Sequence, residues 1–164
     1  MTFQFKSIYD NVALGLHGLQ LDSIPFGPIL VKIRLREGEI SSYHVADSRV
    51  ILPFFFSNEG KEELPNVIRR ELLKEDENFC IVLAHEARVK TSPDAPEGGN
   101  AALKMRGLQT DPEARDVVFV ALHHRSEGQR AGMLPIGTDR KISYAPMLEE
   151  TPEITHVDVG AIDP

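Results

Sequence analysis

The chain has a single cysteine, no tryptophan and only 7% aromatic side chains in 164 residues. One thiol, Cys80, excludes an internal disulfide framework and fits a reducing compartment. Long apolar runs are also missing. The most concentrated stretch, Val50–Phe56, is interrupted by Pro53 and falls far short of the roughly 20 residues that span a bilayer as a helix. The opening residues, Met1–Lys6, show neither the basic leader nor the long apolar segment of a secretory signal. A cytoplasmic chain without a membrane span is therefore expected.

An excess of positive charge is the next absence. The formal net charge is -7, and it is unevenly placed. From Glu149 onward the acids Glu149, Glu150, Glu153, Asp158 and Asp163 meet no Lys or Arg, which leaves 18 basic against 20 acidic residues in the body. Phosphate-backbone binding relies on clustered Lys and Arg that release counterions, so nucleic acid is not an expected partner. Residues 149–164 are expected to form an acidic, disordered tail on a single domain spanning 1–148.

What is present is ordinary for a globular domain, with 41% hydrophobic and 26% charged residues. A chain of this length can withdraw roughly 70% of its unfolded surface from water. Neither a metal nor a disulfide is needed to make folding possible, and no cofactor is expected.

Ile8, Val12, Ala13, Leu16 and Leu19 recur at helical spacing and predict a first helix over about Ser7–Gly18. After Pro25, Gly27 and Pro28 the pattern changes to alternation. Ile29, Val31, Ile33 and Leu35 take one side and Lys32, Arg34 and Arg36 the other, as in a half-buried strand. Glu39–Val45 follows Gly38 as its hairpin partner. Asp47–Asn58 reads as an extended connector packed on the core, and Lys61–Lys74 as a second helix, with Leu64, Val67, Ile68, Glu71 and Leu72 marking its repeat and Pro65 confined to its first turn. The paired Arg69 and Arg70 belong to its solvated face.

The interiors Cys80–Ala84 and Val117–Leu122 are continuous apolar runs rather than alternating ones, the mark of strands covered on both faces. They predict central strands over Phe79–Lys90 and Val117–His124. Arg130–Ile136 returns as a third strand and Lys141–Tyr144 adds a short edge. The expected fold is α+β, a mainly antiparallel sheet of four to five strands packed with two helices. Two amphipathic helices can cover one face of such a sheet, and the other face must then be covered by something else. The candidates are a short helix over Ala101–Leu108, the connector around Phe54–Phe56, or a second copy of the chain in a homodimer.

Two polar pairs stand out on the central strands. His85-Glu86 shares its first two residues with the zinc-protease helix, but position 89 is valine and the segment reads as a strand, whose neighbouring side chains diverge. His123-His124 closes the other apolar strand. If the strands pair, a His from each with Glu86 makes a chemically reasonable zinc or iron site, so His85, Glu86, His123 and His124 are the candidate metal ligands. The bland alternative is a core His with a hydrogen-bond partner and half-exposed residues at strand ends. Cys80, inside Phe-Cys-Ile-Val-Leu, reads as a buried hydrophobe with a raised thiol pKa. The Pro- and Gly-rich stretch Ser92–Asp116 is a long loop of the kind that serves partner binding.

Glu86, Arg88 and Lys90 share a strand face and are similar to the Glu-x-Lys strand of restriction-type nucleases, which implies Mg²⁺ chemistry. That pattern wants Lys at the position of Arg88 and a preceding metal-binding Asp, for which only Asp47 offers itself. A solvated charge ladder explains the same residues. Over about residues 79–136, Glu86-Ala87-Arg88-Val89-Lys90 followed by Asp111-Pro112-Glu113-Ala114-Arg115-Asp116-Val117-Val118 resembles small uncharacterised bacterial and phage proteins of unknown function. The resemblance implies an α+β fold and no particular activity. The function expected is a cytoplasmic protein-binding or regulatory module without catalytic activity; the alternative is a metal-dependent hydrolase or nuclease using the His and Glu side chains above.

Overall fold

A computed structural model describes residues 4–21, 28–45, 58–91, 103–104 and 115–148. Within them lie two helices, α1 (Phe5–Leu16) and α2 (Asn58–Leu73), and six strands: β1 (Ile29–Arg36), β2 (Glu39–Val45), β3 (Phe79–Thr91), β4 (Leu103–Lys104), β5 (Arg115–His124) and β6 (Gly128–Pro135). Five strands run in the order β2-β1-β3-β5-β6, and every neighbouring pair is antiparallel. The α+β, antiparallel expectation holds.

The connections follow from local chemistry. β1 and β2 join through Glu37 and Gly38, whose φ angles are 55° and 82°, the two positive values of the turn that matches the twist of a hairpin. Near the turn the register slips: Arg34 faces Ser42 while Leu35 faces Ile40, which leaves Ser41 as a bulge. The Ser41 hydroxyl donates to the Arg34 carbonyl oxygen at 3.1 Å. β5 and β6 form a second hairpin that closes with Gly128 at a φ of 86°.

Side chains alternate across the sheet, and the two helices do not share one face as expected: each takes a face of its own. α1 lays Ile8, Tyr9 and Ala13 on a cluster that includes Ile33, Cys80, Val82, Val120, Leu122 and Leu134. α2 presents Leu64, Ile68 and Leu72, spaced by four, to Leu30, Phe79, Ile81 and Leu83 on the other face. Lys32 to Glu71 at 2.9 Å ties β1 to the same helix, and Arg34 to Glu75 at 2.8 Å ties it to the turn that follows. Farther along the α2 face, Ala87, Val89, Val117, Phe119, Ala121 and Ala131 form a third cluster. The single chain buries all six, so this face needs no second copy to leave water.

Residues 136–148 fasten α1 to the sheet. Ile142 exchanges backbone hydrogen bonds with Gly18 and Leu19, Ser143 donates to Pro135, and Leu148 donates to Ala131. This strap lines the outer side of β6. The Tyr9 hydroxyl donates to the Ala145 carbonyl oxygen at 2.7 Å, and the Tyr144 hydroxyl donates to Asp10 at 2.7 Å. The Tyr144 amide donates to His17 Nδ1 at 3.0 Å.

Several sequence expectations are revised. α2 begins at Asn58, so Pro65 lies well inside the helix and not in its first turn. Proline's φ suits a helix, and the hydrogen bond it forfeits is offset by the burial of Leu64, Ile68 and Leu72 on either side. Leu103 and Lys104 pair with Thr91 and Lys90, so the helix expected over Ala101–Leu108 does not form there. Lys141–Tyr144 contributes isolated bridges, Gln20 to Lys141 and Ile136 to Ile142, in place of an edge strand. The connector over 47–57, most of the loop over 92–114 and the acidic tail at 149–164 lie outside the described residues.

Candidate functional site

The central strands carry the polar residues that the sequence singles out, and the pleat sends them in different directions. On β3, Phe79, Ile81, Leu83, His85, Ala87 and Val89 face α2, while Cys80, Val82, Ala84 and Glu86 face α1. β5 pairs with β3 so that His85 faces Phe119, Glu86 faces Val118, Ile81 faces His123 and Cys80 faces His124. His85 and His123 therefore share the α2 face, and Glu86 and His124 share the α1 face.

Neither pair meets. His85 and the partner of His123 are four residues apart along β3, about 13 Å, and Glu86 and the partner of His124 are six apart, about 20 Å. Among the described residues no three His, Cys, Asp or Glu side chains gather in a group able to hold a metal ion. Asp47, the remaining carboxylate of the nuclease comparison, lies outside the described residues.

Each of the four has its own surroundings. His85 is buried with its ring 5.8 Å from that of Phe119, and Nδ1 donates to the Glu86 carbonyl oxygen at 3.2 Å. Glu86 is not the solvated end of a charge ladder: its side chain is 7% exposed and its Oε1 lies 2.6 Å from Arg140 Nη1. Alongside, Arg88 lies 3.7 Å from Asp116 across the β3–β5 pair. A carboxylate that far inside requires a cationic partner, and residue 140 of the strap supplies it.

His124 is a structural residue, not a half-exposed one. Its Nε2 donates to the Glu77 carbonyl oxygen at 2.7 Å. Its Nδ1 accepts the Glu127 amide at 3.1 Å and the Ser126 amide at 3.3 Å. The ring joins the β5–β6 turn to the segment that precedes β3, where the Ser126 hydroxyl also donates to the Glu77 carboxylate.

His123 is the exception. Its Nε2 is sealed from solvent and has no hydrogen-bond partner. Burial lowers its pKa from 6.5 to about 4, because charging the ring there would strip it of water without compensation. Between these values the unfolded chain binds a proton that the folded chain does not. The stability associated with the neutral ring is complete above pH 6.5 and is lost as the pH falls toward 4. The expected loss is at most about 3 kcal/mol. Urea unfolding at pH 7.5 and pH 4.5 should show this loss, and His123→Leu should reduce it by most of that amount. An unchanged difference between the two pH values in the variant would refute the assignment.

Cys80 matches its sequence reading. It is fully buried, and burial pushes its thiol up from 9.0 to about 12. At pH 8 the thiolate is then roughly a thousandfold scarcer than in the unfolded chain. Iodoacetamide should leave the native chain unmodified over a period that suffices for complete labelling in urea; comparable labelling rates would show that the thiol is accessible.

A different feature emerges at the edge of the sheet. Of the two outer strands, β6 has the strap along its free side. Strand β2 has exposed side chains at every position except Ile40, and its Tyr43 and Val45 are 71% and 51% exposed. An edge strand presents alternate backbone amides and carbonyls to a partner. Large apolar side chains in the same strand give that partner something to bury. The sequence pattern identifies Glu39–Val45 as a hairpin partner and discloses nothing of this feature. The signal that could have revealed it is the pair Ile40 and Tyr43, which lie three apart and share a face only because the bulge intervenes.

No protein family, curated protein or solved structure matches the chain. The fold itself defines the class: an antiparallel α+β protein with, among the described residues, one helix on each sheet face. No helix among the described residues is long and apolar enough to cross a membrane.

Proposed function

We propose that the chain is a cytoplasmic protein-binding or regulatory module without catalytic activity, working through the outer edge of β2. The observation that carries this reading is the exposure of Tyr43 and Val45 on an edge strand. Backbone groups along such an edge recognise an added strand, and the flanking side chains supply apolar contact. The dispersal of His85, Glu86, His123 and His124 over two faces supports the same reading, because the competing hydrolase needs them on one ion.

The immobilised chain and its Tyr43→Lys variant, each exposed to cell lysate, should differ in what they retain, with the variant losing a specific partner while remaining folded by circular dichroism. Identical retention would remove β2 from the account. The same preparation, titrated with Zn²⁺, Mn²⁺ and Mg²⁺, should show no change in thermal midpoint. A metal at a hundred times its dissociation constant would add about 2.7 kcal/mol, several degrees for a chain of this size, and such a shift would restore the metal-dependent alternative.

A further inference from the structure

We propose that the partner of β2 is a second copy of this chain, the two β2 strands pairing antiparallel about a two-fold axis so that one sheet runs through both molecules. This inference rests on the protein-contact reading of β2 and names its partner.

The argument begins with the bulge. Residues opposite each other in an antiparallel pair share a face of the sheet. Along β2, Ile40, Tyr43 and Val45 lie on the α1 face opposite Leu35, Ile33 and Val31, and Glu39, Ser42 and His44 lie on the α2 face opposite Arg36, Arg34 and Lys32. Because Ser41 interrupts the alternation, a self-pairing that respects both faces is restricted in register. One register sets Ile40 against Tyr43 on the α1 face, Glu39 against His44 on the α2 face, and Ser41 against Ser42. Slipping by one residue sets Ile40 against His44 or Ser42 and mixes the faces.

In the matched register every opposite pair is complementary. An isoleucine meets an aromatic ring, a carboxylate meets an imidazole and a serine meets a serine, each contact occurring twice by symmetry. No like charges face each other. The β6 side of the sheet is lined by the strap through Leu148 and Ser143, so growth by edge pairing stops after one copy, giving a closed dimer in place of a fibre.

Sedimentation equilibrium of the full chain over a range of micromolar concentrations tests this directly. The wild type should associate to a dimer, and Tyr43→Lys should be a monomer under the same conditions. Glu39→Lys, which sets a cation against His44, should weaken association about tenfold, since two cross-strand contacts are lost together. Glu39→Lys combined with His44→Glu should recover it. At concentrations too low for association, thermal midpoints of all variants should match the wild type, because the substituted side chains are exposed and the stabilisation that a partner copy adds is then absent.

A wild type that stays monomeric throughout overturns the self-pairing. If the immobilised chain nonetheless retains a partner that Tyr43→Lys loses, the protein-contact reading survives that failure. A dimer indifferent to Tyr43→Lys overturns the use of this edge, and a double variant that fails to recover overturns the register.

Discussion

Gly132→Val is expected to cost about 4 kcal/mol or more, a large share of the roughly 5–15 kcal/mol that keeps an ordinary domain folded. Gly132 lies on the α1 face of β6, opposite Val120. The ring and hydroxyl of Tyr9 rest so close to its backbone that a side-chain carbon added there would overlap both. Tyr9 is wholly buried and cannot simply swing into water. To make room α1 must lift, and with it goes the bond from the Tyr9 hydroxyl to Ala145 that holds the strap. Overpacking alone costs about 1–3 kcal/mol, and losing the packing of a buried aromatic costs about 3–5 kcal/mol.

The smaller change Gly132→Ala should lose about 3 kcal/mol, measurable by urea unfolding. Tyr9→Leu should also destabilise, yet the pair Tyr9→Leu and Gly132→Ala should cost clearly less than the two separate losses combined. Strict additivity would mean that the ring and the glycine are not in contact, and the account of how α1 seats on β6 would fail.

The second large effect is expected at Arg140. Its guanidinium lies 2.6 Å from Glu86, whose carboxylate is almost entirely enclosed, while the arginine itself is 32% exposed. Arg140→Ala removes the cation that lies 2.6 Å from this enclosed carboxylate, a change that costs about 3–5 kcal/mol for a fully buried pair. Since Arg140 is about one-third exposed, we expect roughly 2–4 kcal/mol. Glu86→Gln removes the charge that requires neutralising and should cost less. The double variant should be more stable than the separate losses imply by about 1–3 kcal/mol. Equal losses for Arg140→Ala in the presence and absence of the Glu86 charge would show that the arginine acts through packing alone.

These effects separate what periodicity can disclose from what it cannot. Alternation in Ile29–Arg36 and the unbroken apolar runs Cys80–Ala84 and Val117–Leu122 report burial directly, because a strand with one or two covered faces must distribute apolar side chains accordingly. Those segments are β1 and the interiors of β3 and β5, and all the residues of both runs are buried. Helix spacing likewise anticipated the buried residues Ile8 and Ala13 of α1 and Leu64, Ile68 and Leu72 of α2. Pro65 misled the boundary of α2, since a local penalty was weighed without the tertiary burial that outweighs it.

The polar residues were less readable. Glu86 reads in sequence as the start of a charged strand end, and only the strap returning with Arg140, fifty-four residues later, encloses and neutralises it. His124 reads as a half-exposed neighbour of a turn, yet it joins that turn to Glu77. In both cases the partner comes from a distant part of the chain, and no local pattern encodes it.

The amino-acid sequence by itself determined the secondary structure of the core, the two-sided burial of its central strands and the inert character of Cys80, because these depend on nearest neighbours and on the period of the pleat. Tertiary structure decided strand order, the parting of His85 and Glu86 from His123 and His124, and the exposure of Tyr43 beside a bulge. Register and long-range pairing set those distances, and each arises from contacts between segments far apart in the chain.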